Sequence, residues 1–303
     1  MPGSALRRPV VAGRFYPARA EELAREVDEY LSPKPSTEEA VSQAIGCVVP
    51  HAGYMYSGHV AGAVFRRLPA RSSYVILCPN HTGRGAPLAM MSNGRWQTPL
   101  GEVPVESALA QDLQRSCALL TDDATAHAAE HSLEVQLPFL QRATGKFSFV
   151  PISIGVGGYA ALEALGHGLA KAIQKASRPV LIIASSDMNH YEPDAQTRVK
   201  DRKAIDQILA LNPPGLYEVI RREEISMCGY GPAIAMLVAA TDLELDTRNS
   251  SSTRPRRTPV VITAPWWATR ASSCPELRFV SFPGRVRPGY PPLPQALRDC
   301  AGI

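Results

Sequence analysis

The chain has 303 residues, enough to bury a full core in one large domain or two smaller ones. Hydrophobic residues make up 45% and charged residues 20%; the formal net charge is +4, with eight arginines after Ser252, so the preceding segment is close to neutral and lacks the basic stripe that a nucleic-acid partner requires. No apolar run follows the N-terminal arginines as a secretory h-region, and none has the length of a membrane span, so a cytoplasmic protein without a membrane partner is expected.

Ala18 to Leu31 carries apolar residues at helical spacing and stops at Ser-Pro-Lys-Pro, where proline denies further helix. Ile45 to Val49 and Tyr74 to Cys78 read as strands, with a helix from His59 to Leu68 between them. Leu88 to Met91 and Gly101 to Val105 bracket a turn-rich stretch in which Asn93-Gly94 is the hairpin signal. A helix is expected over Glu106 to Ser116, strands over Phe147 to Ile154 and Pro179 to Ala184, and helices over Tyr159 to Lys175 and Asp194 to Leu209. Gly231-Pro232 opens an apolar helix through Ala240, with proline at a permitted first-turn position. Strands alternating with helices argue for an α/β fold on a mostly parallel or mixed sheet. No repeat or linker is visible before about residue 244, so one domain is expected.

Six cysteines are spread without a Cys-x-x-Cys pair, which argues against a disulfide framework. Cys47 and Cys78 lie inside strand-like runs, as buried free thiols do. The chemistry gathers instead in loops at the ends of apolar runs: Val-Val-Pro-His51-Ala-Gly-Tyr, Ile-Leu-Cys-Pro-Asn-His81-Thr-Gly, Ser185-Ser-Asp187-Met-Asn-His190-Tyr and Ile-Ser-Met-Cys228-Gly-Tyr-Gly-Pro. A parallel sheet brings distant strand ends together, so these loops read as one site. His51 and His81, at matched positions, have the look of metal ligands. Tyr54 and Tyr56 can wall a pocket. Asp187 and His190, three apart, suit a carboxylate-supported base or ligand, the alternative being helix capping by Ser185, Ser186 or Asp187. Cys228 precedes a helix start that favours thiolate, which makes it a soft ligand, a nucleophile with His190 as base, or a small core residue. Two histidines and an anionic ligand leave positions open on a borderline metal. A competing motif, His127-Ala-Ala-Glu130-His131, matches the H-x-x-E-H signature of zinc metallohydrolases, in which a helix carries two zinc-binding histidines and a glutamate base.

Taken together, the stretches Arg8-Pro-Val-Val-Ala-Gly-Arg-Phe-Tyr16-Pro, Pro50-His-Ala-Gly-Tyr54-Met-Tyr-Ser-Gly, Pro79-Asn-His81, Glu130-His131-Ser-Leu-Glu-Val-Gln-Leu-Pro-Phe, Ser185-Ser-Asp-Met-Asn-His190 and Met227-Cys-Gly-Tyr-Gly-Pro closely resemble the Memo family, whose bacterial and archaeal members are the B proteins of the AmmeMemoRadiSam system. The resemblance implies a central mixed β-sheet flanked by helices, similar in fold to class III extradiol dioxygenases. It implies His51, His81 and Cys228 as ligands of iron or copper, with Asp187 and His190 as catalytic groups and Tyr16, Tyr54 and His131 lining the pocket. Cysteine stands where the dioxygenases have a glutamate ligand, which bears on metal preference and ring-cleaving activity. The family motif begins at Glu130-His131, which weakens the zinc reading. The implied function is a metal-dependent oxidoreductase, or alternatively a non-catalytic module binding a peptide or small molecule; the implied partners are an AMMECR-like protein and a radical-SAM enzyme.

The family-like domain is expected over residues 1–250. The remainder, 251–303, departs from the usual family ending, and its codons can read closer to that ending in a neighbouring frame. A frameshift near residues 244 to 252 is therefore the expectation, the alternative being a divergent tail.

Overall fold

Successive side chains of a strand point to opposite faces of its sheet, and the apolar runs of this chain use both faces. Val75, Leu77, Ile182 and Ala184 lie in one buried cluster, whereas Tyr74, Ile76, Leu181 and Ile183 lie in another. Strands apolar on both faces belong in the middle of a covered, largely parallel sheet. That is their position in the computed structural model, which describes residues 5–32, 44–250 and 260–261.

The elements run in the order β1 (Leu6–Arg7), α1 (Ala20–Leu31), β2 (Gly46–Val49), α2 (Tyr54–Arg67), β3 (Ser73–Pro79), β4 (Leu88–Met90), β5 (Arg95–Thr98), β6 (Gly101–Pro104), α3 (Ser107–Ser116), β7 (Thr121–Asp122), α4 (Leu137–Thr144), β8 (Ser148–Ile154), α5 (Tyr159–Lys175), β9 (Val180–Ser185), α6 (Asp194–Leu209), α7 (Pro213–Arg222), α8 (Tyr230–Ser250) and β10 (Val260–Val261). Among the described residues, the central sheet has seven strands in the order β10-β2-β9-β3-β8-β4-β7. Neighbours are parallel except β4 and β8, so the sheet is mixed, as expected. A small second sheet has the order β1-β5-β6. Among the described residues, no helix is long and apolar enough to cross a membrane.

Four expectations change. The helix expected from His59 begins at Tyr54, with Gly53 as its N-cap residue. Its internal glycines look like breakers, but a Cβ on Gly62 would lie 2.3 Å from the Tyr30 carbonyl oxygen, so the bare backbone is what lets α2 approach α1. The hairpin lies at β5–β6, turning through Pro99-Leu100, while Asn93-Gly94 connects the two sheets. Helix α7 was not anticipated, although Pro213-Pro214 opens it and the Asn212 side chain accepts from Gly215 N at its start. Finally, the segment His127–His131 is not one helix: a 3-10 turn ends at His127 and another covers Glu134–Gln136. Pro138 then sits in the first turn of α4. The H-x-x-E-H match therefore lacks the helix that its zinc chemistry requires. Of the segment concerned by the frameshift expectation, 244–250 continue the backbone of α8 and Val260–Val261 pair in parallel with Gly46 and Cys47; the rest lies outside the described residues.

Two polar contacts hold the irregular parts. The buried Glu134 carboxylate forms an ion pair with Arg7 and accepts hydrogen bonds from Val10 N, Val11 N and the Tyr16 hydroxyl, the last at 2.5 Å. Arg7 also donates to the carbonyls of His127 and Glu130 and lies 4.3 Å from the centroid of the Trp96 ring. The other contact is at Gly229, whose N–H donates to Ser186 Oγ at 3.0 Å. A Cβ there would lie 2.3 Å from the Ser185 carbonyl oxygen.

Glu134→Ala leaves Arg7 buried without its counter-charge and should lower the unfolding free energy by about 3–5 kcal/mol in a denaturant titration. Gly229→Ala forces the 228–229 turn off the end of β9 and should cost about 1–3 kcal/mol by the same measurement. An unchanged midpoint in either variant would contradict the contact assigned to it.

Candidate metal centre

Adjacent parallel strands end at the same edge of a sheet, and β2, β9 and β3 are adjacent in that order. The residues that follow them, His51, Asp187 and His81, therefore emerge side by side. Cys228 reaches the same place from the turn before α8, which Gly229 seats against the end of β9. Gly229 contributes no side chain to the cluster; it lets the sulfur in.

One nitrogen from each of His51 and His81 and the Cys228 sulfur all lie within 4.8 Å of one another. His51 Nε2 is 3.2 Å from Sγ, and the two imidazole ring centroids are 5.2 Å apart. Asp187, His190 and Cys228 form a second such group sharing the sulfur. Asp187 Oδ1 accepts from His51 N at 2.8 Å, and its other oxygen lies 3.9 Å from His51 Nε2. The structure thus brings together five residues singled out from the sequence: His51, His81, Asp187, His190 and Cys228.

The pocket residues take varied places. The His131 ring stacks on His81 with centroids 4.9 Å apart and meets Phe15 at 4.8 Å. Tyr54 and Tyr16 are both buried, 5.5 Å apart ring to ring, and their hydroxyls are engaged by the Val135 carbonyl and Glu134 respectively. They support the 130–136 segment from beneath. Ser185, Ser186 and Asp187 cap no helix, since α6 begins at Asp194 behind Pro193.

Sequence reasoning gave Glu130 a chemical role only as the base of the zinc motif, though it also opens a family-like stretch, and gave Ser185 and Gln136 no part in the centre. Glu130 is fully buried and accepts from His81 N at 2.6 Å, Ser132 N at 2.9 Å and Ser132 Oγ at 2.7 Å. His81 Nδ1 lies 2.9 Å from Glu130 Oε1. A carboxylate can only accept, so Nδ1 carries the proton and Nε2 is left as the ligating atom. Occupied in this way, Glu130 is a support for His81 rather than a ligand. The visible signal was the glutamate preceding a histidine in a family-like stretch.

Burial alone would push the Cys228 thiol up, yet the His51 charge and hydrogen bonds from His190, His51 and His81 outweigh it and hold the sulfur well below the ordinary thiol range. Burial likewise disfavours charged His81, but hydrogen bonds to Cys228 and Glu130 raise it to about 10. His190 rises for a similar reason, with Cys228 and Asp187 overcoming burial. His131 goes the other way: burial lowers it to about 3, with the His51 and His81 charges opposing Glu130. The sulfur and the imidazoles around it favour one another's charged forms, and a cation binding there displaces the protons they hold. The donors, two imidazole nitrogens and a soft anionic sulfur, suit a borderline or soft transition metal better than magnesium or calcium. Cys47 and Cys78 are buried, and burial pushes both thiols up, so they are core residues.

The family described as Memo-like protein matches residues 7–261 of this chain. A MEMO1 family protein of Methanopyrus kandleri is 43% identical over 243 residues, covering 77% of this chain and 86% of that protein. Relatives named MEMO1 family proteins in Methanothermobacter thermautotrophicus and Methanococcus maripaludis are 40% identical over 243 residues and 41% identical over 251; each alignment covers 78% of this chain and 88% of the relative. By these matches, the chain belongs to the Memo-like family.

Proposed function

We propose that His51, His81 and Cys228 hold a non-haem iron or copper ion and that the protein is a metal-dependent oxidoreductase. The observation that carries this reading is the convergence of two imidazole nitrogens and the Cys228 sulfur within 4.8 Å. Three protein ligands leave further positions free, and the chemistry such an ion supplies is one-electron exchange with O2 or a bound substrate.

The remaining roles belong to the chain. Glu130 holds His81 with Nε2 inward. The Asp187 carboxylate fixes the backbone of His51 and keeps negative charge beside its ring. His190, raised by the thiolate and Asp187, holds a proton at the edge of the cluster and is the group placed to donate it to, or recover it from, a substrate. The buried Phe15 ring packs against the His131 ring, which itself stacks on His81.

Metal analysis of anaerobically handled protein, followed by O2-uptake measurements, tests this reading. Iron or copper should be present in stoichiometric amount, lost in Cys228→Ala, and accompanied by O2 consumption in the wild type alone. Zinc without O2 uptake would eliminate the redox part, and metal-free protein would eliminate the site. Glu130→Gln should weaken metal binding about ten- to hundredfold in a competition titration, because a ligating histidine loses its carboxylate partner; unchanged affinity would contradict that support.

A further inference from the structure

The Asp187 carboxylate lies by the backbone N and Nε2 of His51, so His51 Nδ1 faces a hydroxyl where His81 Nδ1 faces the Glu130 carboxylate. His51 Nδ1 lies 2.9 Å from the hydroxyl of Ser185, the last residue of β9, and Ser185 is fully buried. A hydroxyl has one proton to give and two lone pairs to receive. The Ser132 carbonyl, 2.6 Å from Ser185 Oγ, can only accept and so takes that proton. The Gln136 amide donates into one lone pair at 2.9 Å, and the same amide also donates to the Pro50 carbonyl at 2.9 Å. The remaining lone pair faces His51 Nδ1, which must therefore be the protonated nitrogen.

We propose that Ser185 is a positioning residue whose hydroxyl, oriented by Ser132 and Gln136, fixes His51 as the Nδ1–H tautomer and aims its Nε2 at the metal. This inference rests on the metal-site reading above. The contact chain joins three segments: the end of β2, which carries Pro50 and His51; the end of β9; and the 132–136 turn. Because the hydroxyl has no unused valence, reversing the His51 tautomer would set its bare Nδ1 against an oxygen with no proton left to offer. Ser185 thus performs by hydroxyl geometry what Glu130 performs for His81 by charge.

Zn2+ is a suitable diamagnetic probe. Long-range 1H–15N spectra of the Zn2+-loaded wild type should show His51 bound through Nε2, with a slowly exchanging proton on Nδ1. Ser185→Ala should lose that protected proton and bind Zn2+ about ten- to hundredfold more weakly, as expected when a ligating histidine loses its outer partner, while Ser185→Thr, which keeps the hydroxyl, should restore both. Ligation of the wild-type His51 through Nδ1 would overturn the inference even if no variant folds. Unchanged Zn2+ affinity in folded Ser185→Ala would overturn it while leaving the metal site intact. Failure of the wild type to bind Zn2+ would remove both.

Discussion

The centre depends on three parallel strands ending side by side. Strands β2, β9 and β3 are hydrogen-bonded neighbours, with Gly46 to Val49 paired to Ile182 to Ser185 and Ser73 to Leu77 paired to Val180 to Ala184. That register places His51, Asp187 and His81 at one edge without long loops to hold them. Neighbouring strands lie about 4.8 Å apart, a spacing that suits side chains reaching toward a common ion. A slip of one residue in any strand would turn its terminal group to the opposite face, but the apolar residues packed on both faces of the sheet oppose such a slip.

The second requirement is a set of buried polar supports from far along the chain. Residues 130–136 form almost no regular helix, and their conformation is fixed through side chains. Glu130 receives His81 and Ser132, Glu134 receives the N-terminal segment, and Gln136 reaches Pro50 and Ser185. Burying polar groups is costly unless they are hydrogen-bonded, and here the bonds to Glu130 and Glu134 and from the Gln136 amide N–H also define the site. Rigidity at the centre and order in the N-terminal segment therefore have a common origin in this turn.

The legible parts of the sequence were those governed by local physics. Helices over Tyr159 to Lys175 and Asp194 to Leu209 follow from their apolar spacing and are found at those bounds. The strand-end histidines and Cys228 were visible because reactive residues stood in turns after apolar runs. Long-range packing hid the rest. The start of α2 was obscured because its glycines are explained by Tyr30, on another helix. Literal matching of His127 to His131 suggested a helix, whereas Arg7, held by Glu134, takes the His127 and Glu130 carbonyls as its acceptors. Ser185 had no role in the sequence beyond a possible helix cap because its partners, Ser132, Gln136 and His51, lie 49 or more positions away.

The loop between β9 and α6 shows how such distant partners impose a conformation its own residues disfavour. Among the described residues, three non-glycine residues have positive φ: Leu211 and Glu224, both at 51°, follow the C-caps of α6 and α7, where the left-handed conformation is a common helix ending. Tyr191, at 66°, ends no helix; its ring lies 5.6 Å from that of His190. Left-handed backbone costs a residue with a Cβ about 1–2 kcal/mol, so neighbouring contacts must impose it. Asp201 accepts from Asn189 N at 2.9 Å, Ser226 Oγ accepts from His190 N at 2.6 Å, and Asn189 Oδ1 accepts in turn from Ser226 N at 2.9 Å. Beyond Tyr191, Glu192 is tied to Asn189 and Lys200. Ser226 lies two residues before Cys228, so the bonds that strain Tyr191 also fix the spacing between His190 and the sulfur. The stability lost at Tyr191 is thereby converted into placement of a proton-holding group.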